Sequence, residues 1–278
     1  LHSFPTRRSS DLPITLALPG PPGQLVALPG RLLVLVREPG LLLSFKRDAQ
    51  GSLIEERRLT LPADAWGLAV TADRRTAVVS SPFSNRVTGV DLSAFTQRWS
   101  IEVAREPRGI TILPGDDRVY VTHLTRADLT RIDGIGGSEP KAADVALAAA
   151  PLRTPPSPKP SVARERAQAG KLGYGAALSP DGRRLFVPRQ ALGATGVLTW
   201  NGYATVDVML TADESPLVTS GGFEGVMWTG DFQRLFSNDA AMFMLHDPWI
   251  TGPGPKQRTP AFYTARAMIY REGTDTLL

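Results

Sequence analysis

Short apolar runs alternate with turn-forming polar residues along most of this chain. Leu32 to Val36 and Leu41 to Leu43 are typical, and Arg37, Glu38, Pro39 and Gly40 separate them. None of these runs approaches the ~18 residues of a membrane span. The pattern predicts short strands joined by tight turns.

The strands recur. WGLAVTADRRTAVVSS, from Trp66, aligns without a gap on RGITILPGDDRVYVTH, from Arg108. Gly67 falls on Gly109, Val70 on Ile112, Val78 on Tyr120 and Asp91 on Asp133, each 42 residues apart. A third copy, YGAALSPDGRRLFVPR, starts at Tyr174, with Gly175, Leu178 and Val187 each 66 residues beyond their counterparts. A fourth begins near Ala267, and a weaker first copy runs from Gln24 to Asp48. Each copy reads as an apolar strand, a turn rich in Pro, Asp and Gly, a second strand, a polar loop, and a third strand ending in Asp. Pro pre-sets φ and Gly tolerates positive φ, which suits both to such turns. One antiparallel meander cannot bury both its faces. Radial stacking of copies at a period of ~40–45 residues buries them, as in β-propeller blades. The expected fold is therefore all-β: a β-propeller fragment of four-stranded antiparallel blades, about five present, with incomplete closure. The glycine heading each first strand (Gly67, Gly109, Gly175) has two readings: crowding near the axis, or an ordinary strand start.

Two stretches break the period. The step from Gly109 to Gly175 is 66 residues, 24 beyond one repeat, and the excess centres on APLRTPPSPKPSVARERAQAG (Ala150 to Gly170). This predicts a Pro-rich rim insertion at about 138–172. The second stretch, about 191–264, has room for two blades or one elaborated blade. In it YATVDVML (Tyr203 to Leu210) reads as a strand, and FEGVMWTGDFQRLF (Phe223 to Phe236) has room for two.

Both ends read as interrupted. LHSFPTRRSSDL (residues 1–12) matches nothing that follows, and from His2 to Leu12 it is similar to a translated sequencing adapter. The expectation is an artefactual or disordered segment over 1–12 and a partial propeller over 13–278. ARAMIYREGTDTLL (Ala265 to Leu278) reads as the opening hairpin of a further repeat. Such a piece is expected to expose a sheet edge at each end.

Composition narrows the chemistry. The chain carries 31 basic and 27 acidic residues, a net charge of +4, and no cysteine. Only five of the basic residues are lysines, and acidic residues are interspersed throughout. The arginine excess, with abundant Ala, Gly and Pro, reads as a GC-rich coding bias, and no nucleic-acid partner is expected. Without cysteine there are no disulfides, thiolate metal sites or CxxCH haem attachment within these residues.

At VYVTHLTRADLTRID (Val119 to Asp133) the chain resembles the YVTN repeat of the YncE-like bacterial β-propellers. Tyr120, Val121 and Thr122 match, His123 stands where Asn is usual, and Ile132 and Asp133 close the repeat. LSPDGRRLFV (Leu178 to Val187) is a signature shared among many propellers. The resemblance implies a periplasmic or extracellular protein. Chains of this texture are also similar to propeller portions of larger exported proteins, some with a di-haem peroxidase-like or cytochrome c domain following. A propeller specifies fold better than function.

Candidate chemistry is sparse. His123 closes a second strand, where the loops begin, and His246 with Asp247 precedes Pro248 in a turn after AMFML. His123 is read as structural or solvent-facing and His246 as structural, rather than as ligands, because a metal needs a larger donor set. Asp116-Asp117 and Asp181-Gly182 read as turn residues, since they lack the alternating oxygens of a calcium loop. GIGG (Gly134 to Gly137) opens no helix that would cradle a phosphate. Trp66, Trp200, Trp228 and Trp249 are expected to fill gaps between blades. No GxSxG, HExxH or P-loop spacing occurs. The sequence therefore suggests a non-catalytic interaction or scaffold module with no cofactor of its own and a protein partner. The rivals are a propeller that orients an attached haem domain, and a lactonase-type hydrolase with carboxylates and His or Arg converging at the axial mouth.

Overall fold

The computed structural model describes residues 16–147, 173, 175–179, 181–192, 202–224, 240–245 and 267–272. Four antiparallel four-stranded sheets follow one another along the chain, each a simple meander. The first contains β1 (Pro22–Leu28), β2 (Arg31–Val36), β3 (Leu41–Arg47) and β4 (Leu53–Thr60). The second contains β5 (Leu68–Val70), β6 (Thr76–Ser81), β7 (Arg86–Asp91) and β8 (Thr96–Glu102). The third holds β9 (Pro107–Ile112), β10 (Arg118–His123), β11 (Leu129–Asp133) and β12 (Lys141–Val145). The fourth holds β13 (Ala177–Leu178), β14 (Arg184–Leu192), β15 (Gly202–Leu210) and β16 (Pro216–Glu224). A fifth, two-stranded sheet pairs β17 (Ala240–Leu245) with β18 (Ala267–Glu272). The architecture is the expected propeller fragment of four-stranded blades.

The repeat holds at the level of hydrogen-bond register. Val70 pairs with Ala77, Ile112 with Val119 and Leu178 with Leu185, the same repeat position in three sheets. First strands line up side by side, β1 against β5 and β5 against β9. β18 lies against β13 and β14 as β9 lies against β5 and β6, the place of a following blade's first strand. YATVDVML falls within β15, third strand of the fourth blade, which thus takes in the start of the irregular stretch. Phe223 and Glu224 end β16, and residues 225–239 lie outside the described residues. Lys141–Val145, at the head of the Pro-rich stretch, forms the third blade's outer strand, and residues 148–172 lie outside the described residues.

The turns explain the acidic residues of the repeat. Asp73 accepts the N–H of Arg75 at 2.9 Å and the hydroxyl of Thr71 at 2.7 Å. Asp181 repeats this with the N–H of Arg183 at 3.0 Å and the hydroxyl of Ser179. The next residue is left-handed in all three copies: Arg74 (φ 61°), Asp116 (φ 58°) and Gly182 (φ 69°). Asp91, at the end of β7, accepts the N–H groups of Ser93 and Ala94 and turns the chain into β8. Asp48 does the same after β3, with Gln50 and Ser52. A side chain that satisfies backbone donors locally is what a tight turn requires.

Apolar faces meet between successive blades. Leu33, Leu35 and Leu42 pack on Ala77, Val79 and Val90 between the first and second. Val78, Val87 and Trp99 pack on Val119, Val121 and Ile132 between the second and third. Tyr120 and Leu129 meet Leu185, Val187 and Met209 between the third and fourth. Full burial of each large side chain contributes about 1.5–3 kcal/mol, so these seams are the main source of stability. Both readings of the repeated glycine are realised in different copies. A Cβ at Gly67 would overlap the carbonyl oxygen of Arg108 on the next blade, whereas one at Gly175 would meet nothing within 4 Å among the described residues.

Candidate functional site

Second strands end, and first strands begin, on the same side of the blades. The repeat brings related positions together there, at the axial mouth. Ser81 ends β6 and His123 ends β10 at one equivalent position, and Arg37 directly follows Val36, the last residue of β2. Asp64 and Trp66, on the link between β4 and β5, are matched 42 residues later by Glu106 and Arg108.

Five of these residues form one cluster drawn from three blades. The Cζ atoms of Arg37 and Arg108 lie 4.5 and 4.3 Å from the centroid of the Trp66 ring. Cation–π attraction of this kind holds both guanidinium groups against the indole. Asp64 is fully buried and accepts from Arg37 Nε at 2.6 Å through Oδ1. Its Oδ2 lies 3.9 Å from Arg108 Nη1 and has no hydrogen-bond partner. Arg108 donates through Nη2 to Glu106 Oε2 at 3.2 Å, while its buried Nε is unpartnered. Asp64 and Glu106 both take left-handed backbone (φ 59° and 51°), which costs a non-glycine residue energy. The N–H of Asp64 donates to the carbonyl of Arg37 at 2.9 Å, which fixes the link against the first blade.

Beside the cluster stands a short 3-10 turn, Pro82–Ser84, that presents Phe83 to solvent. Ser81 and Ser84 donate through their hydroxyls to the carbonyls of Pro62 and Ala63, and Asn85 Oδ1 accepts the N–H of Glu106. The turn therefore clips together the two links that carry Asp64 and Glu106.

His123 is only 2% exposed. Its Nδ1 lies 3.0 Å from the carbonyl of Arg105 and its Nε2 2.8 Å from Thr130 Oγ1. A carbonyl only accepts, so Nδ1 carries the proton and Nε2 accepts from the threonine hydroxyl. Burial holds the imidazole below its usual pKa, opposed by the Arg105 carbonyl. Both ring nitrogens are occupied in the wall of the third blade. His246 and Asp247 lie outside the described residues, as do Trp200, Trp228 and Trp249. Trp66 does sit between blades, in contact with the two arginines. Trp99, not among the aromatics singled out from the sequence, donates from Nε1 to the carbonyl of Ile135 across the second seam.

Sequence reasoning also missed Arg37, Asp64, Glu106 and Arg108. A signal was present: the Asp-x-Trp of one copy and the Glu-x-Arg of the next occupy the same repeat positions, immediately before the glycine. Among the described residues, no group of three or more His, Asp or Glu is placed to hold a metal ion. No described helix is long and apolar enough to cross a membrane.

No family model matches the chain. No curated protein matches it by sequence. Solved structures do match by shape. Hydrazine synthase of Kuenenia stuttgartiensis superposes with a TM-score of 0.56 at 17% identity, over 87% of this chain and 61% of that one. A functionally unknown protein of Desulfotomaculum acetoxidans gives 0.53 at 13%, over 74% and 58%. A putative 6-phosphogluconolactonase of Bacteroides uniformis gives 0.52 at 8%, over 88% and 72%. The chain spans about three fifths of the first two. At such identities the likeness bears on the fold alone, and it agrees with a propeller of four-stranded blades.

Proposed function

We propose that this chain is a non-catalytic β-propeller module of an exported bacterial protein, acting as an interaction or scaffold domain. One observation carries the reading: the acid–base groups at the mouth are committed to the structure. Asp64 is fully buried beneath Arg37, Glu106 is held by Arg108, and both nitrogens of His123 are bonded within the wall. General acid–base catalysis needs a group within reach of a substrate proton, and each of these is instead bonded to a protein partner. A stack of blades with spent acid–base groups suits binding. The periplasmic or extracellular setting rests on the resemblance to YncE-like propellers.

The experiment is a pH-stat assay of the purified chain with glucono-δ-lactone and other sugar lactones. The expected rate equals that of buffer. A rate that exceeds buffer and falls in Arg108→Gln or His123→Asn sinks the scaffold reading in favour of a lactonase.

A further inference from the structure

The mouth spends its carboxylates but not its cations. Each guanidinium offers several N–H donors in a planar fork. Arg37 donates one hydrogen bond, from Nε to Asp64, and Arg108 one, from Nη2 to Glu106. The Nη1 and Nη2 atoms of Arg37 have no hydrogen-bond partner among the described residues, and that side chain is 31% exposed. Arg108 is 10% exposed, and its Nε is buried without a partner. Buried polar atoms are normally satisfied, yet the donor Arg108 Nε in this cluster has no partner. Stacking on Trp66 holds both forks in place before any ligand arrives, and pre-organisation of this kind lowers the entropic cost of binding.

We infer that the mouth is a carboxylate-binding site, with Arg37 and Arg108 as the two forks and Trp66 as the surface that orients them. Glu106 shows the chemistry. Its carboxylate, on the more exposed side of the cluster at 27% exposure, already lies against Arg108 Nη2. An incoming carboxylate takes the free edge of Arg37 and displaces Glu106 from Arg108. Asp64 stays in place beneath as the buried counter-charge, so one ligand charge replaces one protein charge. A singly charged carboxylate fits that exchange better than a phosphate dianion. Its source is either a small organic acid or an acidic side chain of a partner protein.

The test is isothermal titration of the full chain at constant ionic strength with lactate, and separately with a capped Gly-Glu-Gly peptide. One-to-one binding is expected for at least one probe. Arg37→Gln and Arg108→Gln should each weaken it about tenfold or more, the loss expected for a charge-assisted hydrogen bond. Glu106→Gln, which removes the competing carboxylate, should tighten it. Should Arg108→Gln fail to fold, Arg37→Lys takes its place: it keeps the charge, loses the fork, and is expected to cost a similar factor with an unchanged melting curve. Binding of lactate identifies a free acid as ligand, and binding of the peptide alone identifies an acidic partner segment. No heat with either probe, or an affinity that survives both arginine substitutions, overturns the site. That failure leaves the scaffold reading standing, just as lactone hydrolysis would sink the scaffold reading without touching this one.

Discussion

The seam between the second and third blades and the seam between the third and fourth bury similar apolar surfaces but are locked differently. At the former, polar side chains reach across to backbone. Ser80 Oγ donates to the carbonyl of Arg108 at 2.6 Å while accepting the N–H of Gly67, and Trp99 donates to the carbonyl of Ile135. Asp116 accepts the N–H groups of Ala72 and Asp73 at 2.8 and 3.0 Å, tying one blade's turn to the next. At the latter, Thr111 Oγ1 reaches the carbonyl of Ala176, but the main lock joins side chains. Glu214 accepts from Arg131 Nη1 at 2.9 Å and from the Tyr120 hydroxyl at 3.0 Å. A backbone carbonyl is present whatever residue occupies the position, so backbone-directed locks demand little of the next copy. A side-chain network demands a matched set. The uninterrupted 42-residue step uses the first kind, and the seam that follows the longer step relies on the second.

The largest effect expected from breaking this contrast is at Trp99. Trp99→Ala removes a 5%-exposed side chain and its bond to Ile135, and should cost about 3–5 kcal/mol in a denaturant titration. Next comes the paired glycine test. Gly67→Ala forces a methyl group into the Arg108 carbonyl and is expected to cost about 1–3 kcal/mol. Gly175→Ala, which meets nothing among the described residues, should change stability by less than about 0.5 kcal/mol. Equal costs at both positions would mean that the two glycines are packed alike.

Glu214→Gln probes the side-chain lock and is expected to cost about 1 kcal/mol. It carries a spectroscopic signature as well. Burial first, then Glu214, pushes the Tyr120 phenol up to about 12. The folded form thus holds its proton more tightly, so this contribution to stability is present below about 10 and is lost as pH rises through 10 to 12. Ultraviolet titration, with Tyr120→Phe as reference, should show the Glu214→Gln phenol ionising at lower pH than wild type.

The smallest effect belongs to His123. Its folded pKa is depressed, chiefly by burial, so the unfolded chain takes up protons first as pH falls below about 6.5. The melting temperature should decline between pH 7.5 and pH 5.5, and the decline should shrink in His123→Asn. An identical pH profile in the variant would mean that the buried imidazole is not the group responsible.

Much of the fold is legible because first and second strands must be apolar on both faces and their turns must carry particular residues. Val70, Ile112 and Leu178 announce themselves by spacing, and Asp73 and Asp181 by the turns they close. Outer strands are not legible in this way. LIEERRLT, TQRWSIE and KAADV, which form β4, β8 and β12, are largely exposed, so no core constrains them to look alike. The mouth cluster was hidden for another reason. Arg37, Asp64 and Arg108 lie on three different blades, and nothing in a linear pattern says that one indole will hold two of them. The burial of His123 was not legible in the sequence.

What the sequence determined by itself was the repeat: its period, its hydrogen-bond register and its turn chemistry. All of these follow from contacts between residues close in the chain. Tertiary structure decided which polar residues meet across seams, that Gly67 is crowded by the next blade, and that two arginines share Trp66. Those outcomes depend on how one blade is rotated and stacked on the next. That geometry is set by the summed packing of whole apolar faces rather than by any local segment.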